Sequence, residues 1–123
     1  MSEDRRFTPE QATAMLPSLT ESLARIRSSR QLILSAGERV RGDAPANGGG
    51  RIGADYLDAL GTLRREVERM VADGVILRDP EVGLLDFPSR RAERDVFLCW
   101  QMGEETVAFW HGPETGFAGR QPI

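Results

Sequence analysis

VFLCWQMGEETVAFWH, residues 96–111, reads as two strands around a turn. Val96 to Met102 and Thr106 to His111 are rich in β-branched and aromatic residues, and Gly103-Glu104-Glu105 between them predicts a hairpin. A three-residue loop there opposes Met102 to Thr106, Cys99 to Phe109 and Phe97 to His111. Alternation then puts Leu98, Trp100, Ala108 and Trp110 on one face, and Phe97, Cys99, Gln101, Val107, Phe109 and His111 on the other. Both faces carry apolar side chains, so both need cover. A helical layer can supply one cover; the other falls to the C-terminal tail or a partner subunit.

Working backward, the period of two continues to Gly74. Val75 to Leu77 reads as a short strand, Asp79 to Gly83 as a turn, and Leu84 to Phe87 as a return strand that Pro88 ends. The run Arg90, Arg91, Glu93, Arg94, Asp95 is mixed in sign and reads as a solvated loop. Before Gly74 the spacing is helical. Thr8, Pro9 and Gln11 form a capping box with proline at the first helical position, and Phe7 is placed to staple onto Ala12 or Met15. Ala12, Leu16, Leu19, Leu23, Ile26, Ile33 and Val40 recur at steps of three, four or seven, a narrow stripe interrupted by Arg30. Pro17 predicts a kink or a fresh start. The segment GDAPANGGGRIG, Gly42 to Gly53, is loop by composition. A second helix follows, with Asp55 as its cap, Tyr56, Leu60, Leu63, Val67 and Met70 as its stripe, and Gly74 as its stop. The fold class is therefore α+β: a long antiparallel helical hairpin, residues 8–74 with a flexible loop at 42–53, followed by a small antiparallel β-sheet over 75–123, all in a single domain of 123 residues.

Composition narrows the function. The formal net charge is −3; residues 1–74 carry 11 Arg against 11 Asp/Glu, and residues 75–123 carry 5 against 8, so no basic face for nucleic acid is expected. Every one of the 16 basic residues is arginine, which removes Schiff-base chemistry, a catalytic lysine and a P-loop. No apolar run approaches membrane-spanning length and the first ten residues are charged, so a membrane partner is not expected and a cytoplasmic location is. The one cysteine cannot form an internal disulfide, in keeping with a reducing compartment.

Three stretches carry a resemblance: FTPEQATAMLP from Phe7, GVILRDPEVGLLDFPSRRAERDVFLCW from Gly74, and AFWHGPETGFAGRQPI from Ala108. Their distinctive marks are D-F-P at Asp86 to Pro88, C-W at Cys99 and Trp100, W-H at Trp110 and His111, and G-F-A-G-R-Q-P at Gly116 to Pro122. Together they resemble a prokaryotic family of uncharacterised proteins, domain of unknown function 2203, over nearly the whole chain and least through the Gly-rich loop. The resemblance implies the extent of the domain and brings no activity with it.

Candidate chemistry gathers after Leu84, where both tryptophans, four of the five phenylalanines, the cysteine and the histidine lie. Asp86, Cys99, His111 and Glu114 form a donor set suited to a divalent metal, zinc or iron. The competing reading makes Cys99 a small buried hydrophobe and His111 a hydrogen-bonded strand end. Cys99 as nucleophile with His111 as base needs a reachable thiol, which a mid-strand apolar setting opposes. Arg120, with Trp110 and Asp86, could bind an anionic small molecule; alternatively the tail folds over the sheet, Phe117 plugging it and Arg120 pairing with an acid such as Asp86. Two apolar stripes and a two-sided sheet also call for a homodimer. The leading expectation is a small binding or assembly module of unknown ligand; the alternative is a metal-binding protein or metal-dependent enzyme centred on His111.

Overall fold

The computed structural model describes residues 5–42 and 50–123. A short helix, α1 (Pro9–Ala14), leads into α2 (Leu16–Gly42), and α3 (Gly50–Asp73) returns along it. A five-stranded antiparallel sheet follows in sequence order: β1 (Ile76–Asp79), β2 (Leu84–Arg91), β3 (Arg94–Gln101), β4 (Phe109–His111) and, after a 3₁₀ turn at Phe117–Gly119, β5 (Gln121–Pro122). The α+β class is as expected. The expected loop at 42–53 lies for its greater part, residues 43–49, outside the described residues.

Local signals explain where the helices start and stop. Thr8 accepts from the Gln11 amide while the Gln11 side chain accepts from the Thr8 amide, closing the capping box. Pro17 falls in the first turn of α2, where its missing N–H costs nothing, so the chain begins a new helix there. Gly74, at φ +85°, ends α3: its N–H bonds Val71 O, and the Val75 N–H bonds Met70 O. The other end differs from expectation. α3 starts at Gly50, so Asp55 is an interior, exposed residue rather than the cap. Once a turn is nucleated, each added residue gains a hydrogen bond, which carries the helix back through Gly53.

One core joins the layers. Leu19, Leu23 and Ile26 of α2 and Met70 of α3 pack against Leu85 and Phe87 of β2 and Leu98 and Trp100 of β3. Phe7, buried just before α1, meets the Phe87 ring edge-on at 5.4 Å. Between the helices, the expected Tyr56 and Leu60 are exposed and Ala59 and Glu66 are buried instead. Glu66 sits inside because it is fully partnered: Ser22 donates at 2.7 Å and Arg25 at 2.8 Å, across an antiparallel pair. The Arg25 guanidinium holds the Glu66 carboxyl below its usual range, against the upward push of burial. This contribution to stability is present above the ordinary glutamate pKa and is lost as pH falls through the lower folded-state value.

The sheet corrects three expectations. β2 runs through Pro88, which pairs with Phe97. Along a strand the N–H and C=O of one residue point the same way, and the Pro88 carbonyl accepts from Phe7, at a level where β1 has not yet begun. The missing N–H thus faces away from β3 and breaks no rung of the ladder. The charged run at 90–95 is a continuation of this hairpin rather than a loop: Arg90 pairs with Asp95 and Arg91 with Arg94, around a turn at Ala92 and Glu93 with φ of +51° and +66°. On β4, Phe97↔His111 and Cys99↔Phe109 are as expected, but pairing begins only at Phe109. Met102 therefore has no Thr106 partner in the ladder. Val107, freed from the register, joins the helix-side core, and its N–H bonds Thr13 Oγ1.

Two positive-φ residues without a glycine place strain in the Ala92-Glu93 turn. The double substitution Ala92→Asn with Glu93→Gly supplies the asparagine-glycine pair that such a turn prefers. It should raise unfolding stability by about 1 kcal/mol, measured as a higher urea midpoint at unchanged slope.

Candidate functional site

Asp86, Cys99 and His111 meet on the sheet face turned away from the helices. Register does this: Asp86 pairs with Cys99 across β2 and β3, and His111 sits one step diagonally beyond on β4, opposite Phe97. All three are buried, at 2, 1 and 3% exposure, and one donor atom from each lies within 4.8 Å of the others.

Hydrogen bonding orients them. His111 Nδ1 lies 2.8 Å from Gly112 O. A carbonyl only accepts, so Nδ1 carries a proton and Nε2 faces inward, 3.0 Å from Asp86 Oδ2. Arg78 Nε donates to that same oxygen at 2.7 Å. Asp86 Oδ1 is buried without a partner. The Phe97 ring lies 5.5 Å from the imidazole, with the Arg78 guanidinium on it. The Cys99 thiol is pushed up to about 12, by burial first and then by the Asp86 charge, with Arg120 opposing. The imidazole is not free to act on it: Nε2 is engaged by Asp86 and Nδ1 by its own strand end. A thiol raised this far stays protonated near neutral pH, which opposes nucleophilic catalysis by Cys99.

The other expected site residues lie apart. Glu114 is exposed and its carboxylate folds back over Gly112, outside the buried group. Trp110 pairs with Leu98 and packs on the helix-side core, with Arg91 over its ring, so the sheet separates it from Asp86. Arg120 reaches the right face, bonding Cys99 O at 3.3 Å, but its ion pair is with Glu104 at 2.9 Å rather than with Asp86. Its guanidinium also covers the Phe109 and Phe117 rings. The tail finishes as β5 along β4, and of the Arg120 guanidinium Nη2 is taken by Glu104 and the Cys99 carbonyl while Nε is buried without a partner.

Sequence reasoning misses Arg78 and Glu104. Arg78 is the residue at which the β1–β2 register shifts, and a bulge re-aims a side chain in a way that no periodicity reveals. Glu104 accepts from the Gln101 amide and from Arg120, a turn cap whose signal is its place in G-E-E.

Residues 5–123 match the family described as an uncharacterized conserved protein (DUF2203). The chain belongs to the DUF2203 family. Nothing matches it among curated proteins or solved structures. No helix among the described residues is long and apolar enough to cross a membrane.

The buried thiol makes its own prediction. Iodoacetamide in mildly alkaline buffer should leave Cys99 unmodified in the folded chain and alkylate it fully after unfolding in guanidinium, as read by mass spectrometry. Rapid modification of the folded chain would show the thiol to be accessible.

Proposed function

We propose that this protein is a metal-binding module holding one zinc ion between Asp86, Cys99 and His111. The observation that carries the reading is the convergence of three unlike donors in a buried site where one of them, Asp86 Oδ1, has no partner. An unpaired buried carboxylate oxygen is costly, and a cation is the ligand that removes the cost. The imidazole supports it too: Nδ1 anchored on a backbone carbonyl and Nε2 directed inward is the usual posture of a ligating histidine. Tetrahedral zinc with such donors sets them about 3.3–3.8 Å apart, so closing on an ion asks for shifts of about 1 Å or less. Zinc is favoured over iron because the two-histidine, one-carboxylate arrangement of non-haem iron needs a second histidine, and the chain has one. Three protein ligands leave the fourth position to water or a small ligand. A thiol kept reduced in this role suits the cytoplasm, where we place the protein.

Elemental analysis of untagged protein purified without chelator should find about one zinc per chain, and Asp86→Asn, Cys99→Ser and His111→Ala should each reduce it. Glu114→Gln should not. Metal-free protein that binds zinc no tighter than about 1 mM would overturn the reading.

A second reading, self-association, is favoured by exposed apolar residues on α3: Leu57 at 67%, Val71 at 63% and Leu60 at 38%. They recur at steps compatible with one helix face, which a second copy of the chain could cover. Light scattering at about 100 µM should then report twice the 13.6 kDa chain mass, and Leu57→Glu with Val71→Glu should return it to the monomer.

A further inference from the structure

Arg78, Asp86 and His111 share one hydrogen-bonded group beside Cys99. Asp86 has two oxygens, and both Arg78 and His111 Nε2 are directed at Oδ2, leaving Oδ1 alone. Arg78 differs from the other groups touching that carboxylate, since its side chain is 45% exposed while those of Asp86 and His111 are 2 and 4%. It stands at the β1 bulge, and its guanidinium is held over Phe97, which in turn backs the imidazole. One side chain thereby touches the carboxylate directly and the histidine through an aromatic ring.

We infer that Arg78 is a positioning residue for the metal proposed above: it keeps Oδ2 of Asp86 when the ion binds, so that Oδ1, His111 Nε2 and Cys99 Sγ are the atoms presented to the ion. The inference rests on the metal-binding reading and adds to it which oxygen ligates and what holds it. A divalent ion taken up here displaces the thiol proton, and any proton lying between Nε2 and Oδ2, to solvent with no change in oxidation state, while Arg78 stays on Oδ2 as the compensating cation. Holding Asp86 by Oδ2 also confines it to one-oxygen ligation, which suits four-coordinate zinc and disfavours calcium, whose sites draw on many oxygens.

The test uses cobalt(II) and zinc(II) titrations of the metal-free full chain. Cobalt(II) bound through Cys99 gives a thiolate-to-metal charge-transfer absorption that Cys99→Ser abolishes. Arg78→Gln, which keeps a donor but not the charge, should weaken both metals by about 10–100-fold, with Arg78→Lys intermediate. If wild type binds and Arg78→Gln binds equally well or more tightly, Arg78 has no positioning role, and metal binding stands without it. If neither metal binds wild type, the metal reading and this inference fall together. Should Arg78→Gln not fold, the intermediate affinity and altered cobalt spectrum expected of Arg78→Lys decide the matter, and an unchanged affinity and spectrum overturn the inference.

Discussion

The register of the β2–β3 ladder decides what each face of this sheet can be. Eight pairs run from Leu84↔Gln101 to Arg91↔Arg94, and strict alternation sends Leu85, Phe87, Leu98 and Trp100 to the helices. The same alternation sends Asp86 and Cys99 the other way. A slip of one residue would bury a carboxylate against Leu23 and expose Phe87. The core and the donor group are thus two outcomes of one geometric choice, and removing a core side chain such as Leu85, at a cost of about 2–5 kcal/mol as alanine, would loosen the frame on which the donors are hung.

The far face is held together by partners rather than by packing depth. Arg78, Asp86 and His111 form one connected group, and Arg120, Glu104 and the Cys99 carbonyl form another beside it. Both depend on arginines with aromatic backing, Phe97 in the first case and Phe109 with Phe117 in the second. Guanidinium planes stack on rings while keeping their donors directed outward in their own plane, a combination an ammonium lacks. A chain with no lysine has built its polar face from the one cation able to do both.

Much of this is legible in the sequence, for identifiable reasons. The hairpin of helices, the cap at Thr8, the stop at Gly74 and the pairing of Cys99 with Phe109 rest on local spacing, which sequence displays directly. The meeting of Cys99 and His111 on one face follows from register alone. What escapes are features set by distant partners. Pro88 reads as a stop until Phe7 is seen to receive its carbonyl, and Glu66 reads as surface until Ser22 and Arg25 are seen around it. Val107 falls on the wrong face when the ladder is extended past Phe109, where it stops. Arg78 is invisible because a bulge obeys no period, and composition groups Trp110 with Asp86 although the sheet stands between them.

The contact between Phe7 and the Pro88-Ser89 segment bears on how the chain reaches this state. Phe7 gives its N–H to Pro88 O and receives the Ser89 hydroxyl at 2.6 Å, across 82 residues of sequence. The β2–β3 hairpin closes around a short turn, so its loop entropy is small and its formation fast. Docking Phe7 requires the ends of a far longer loop to meet, a penalty repaid only once Phe87 and the helices are there to receive it. The order that follows is hairpin first and amino-terminal strap last, with α1 drawn into place by the strap. Two of the three donors, Asp86 and Cys99, lie on that hairpin, and the third, His111, joins them only when β4 pairs with β3.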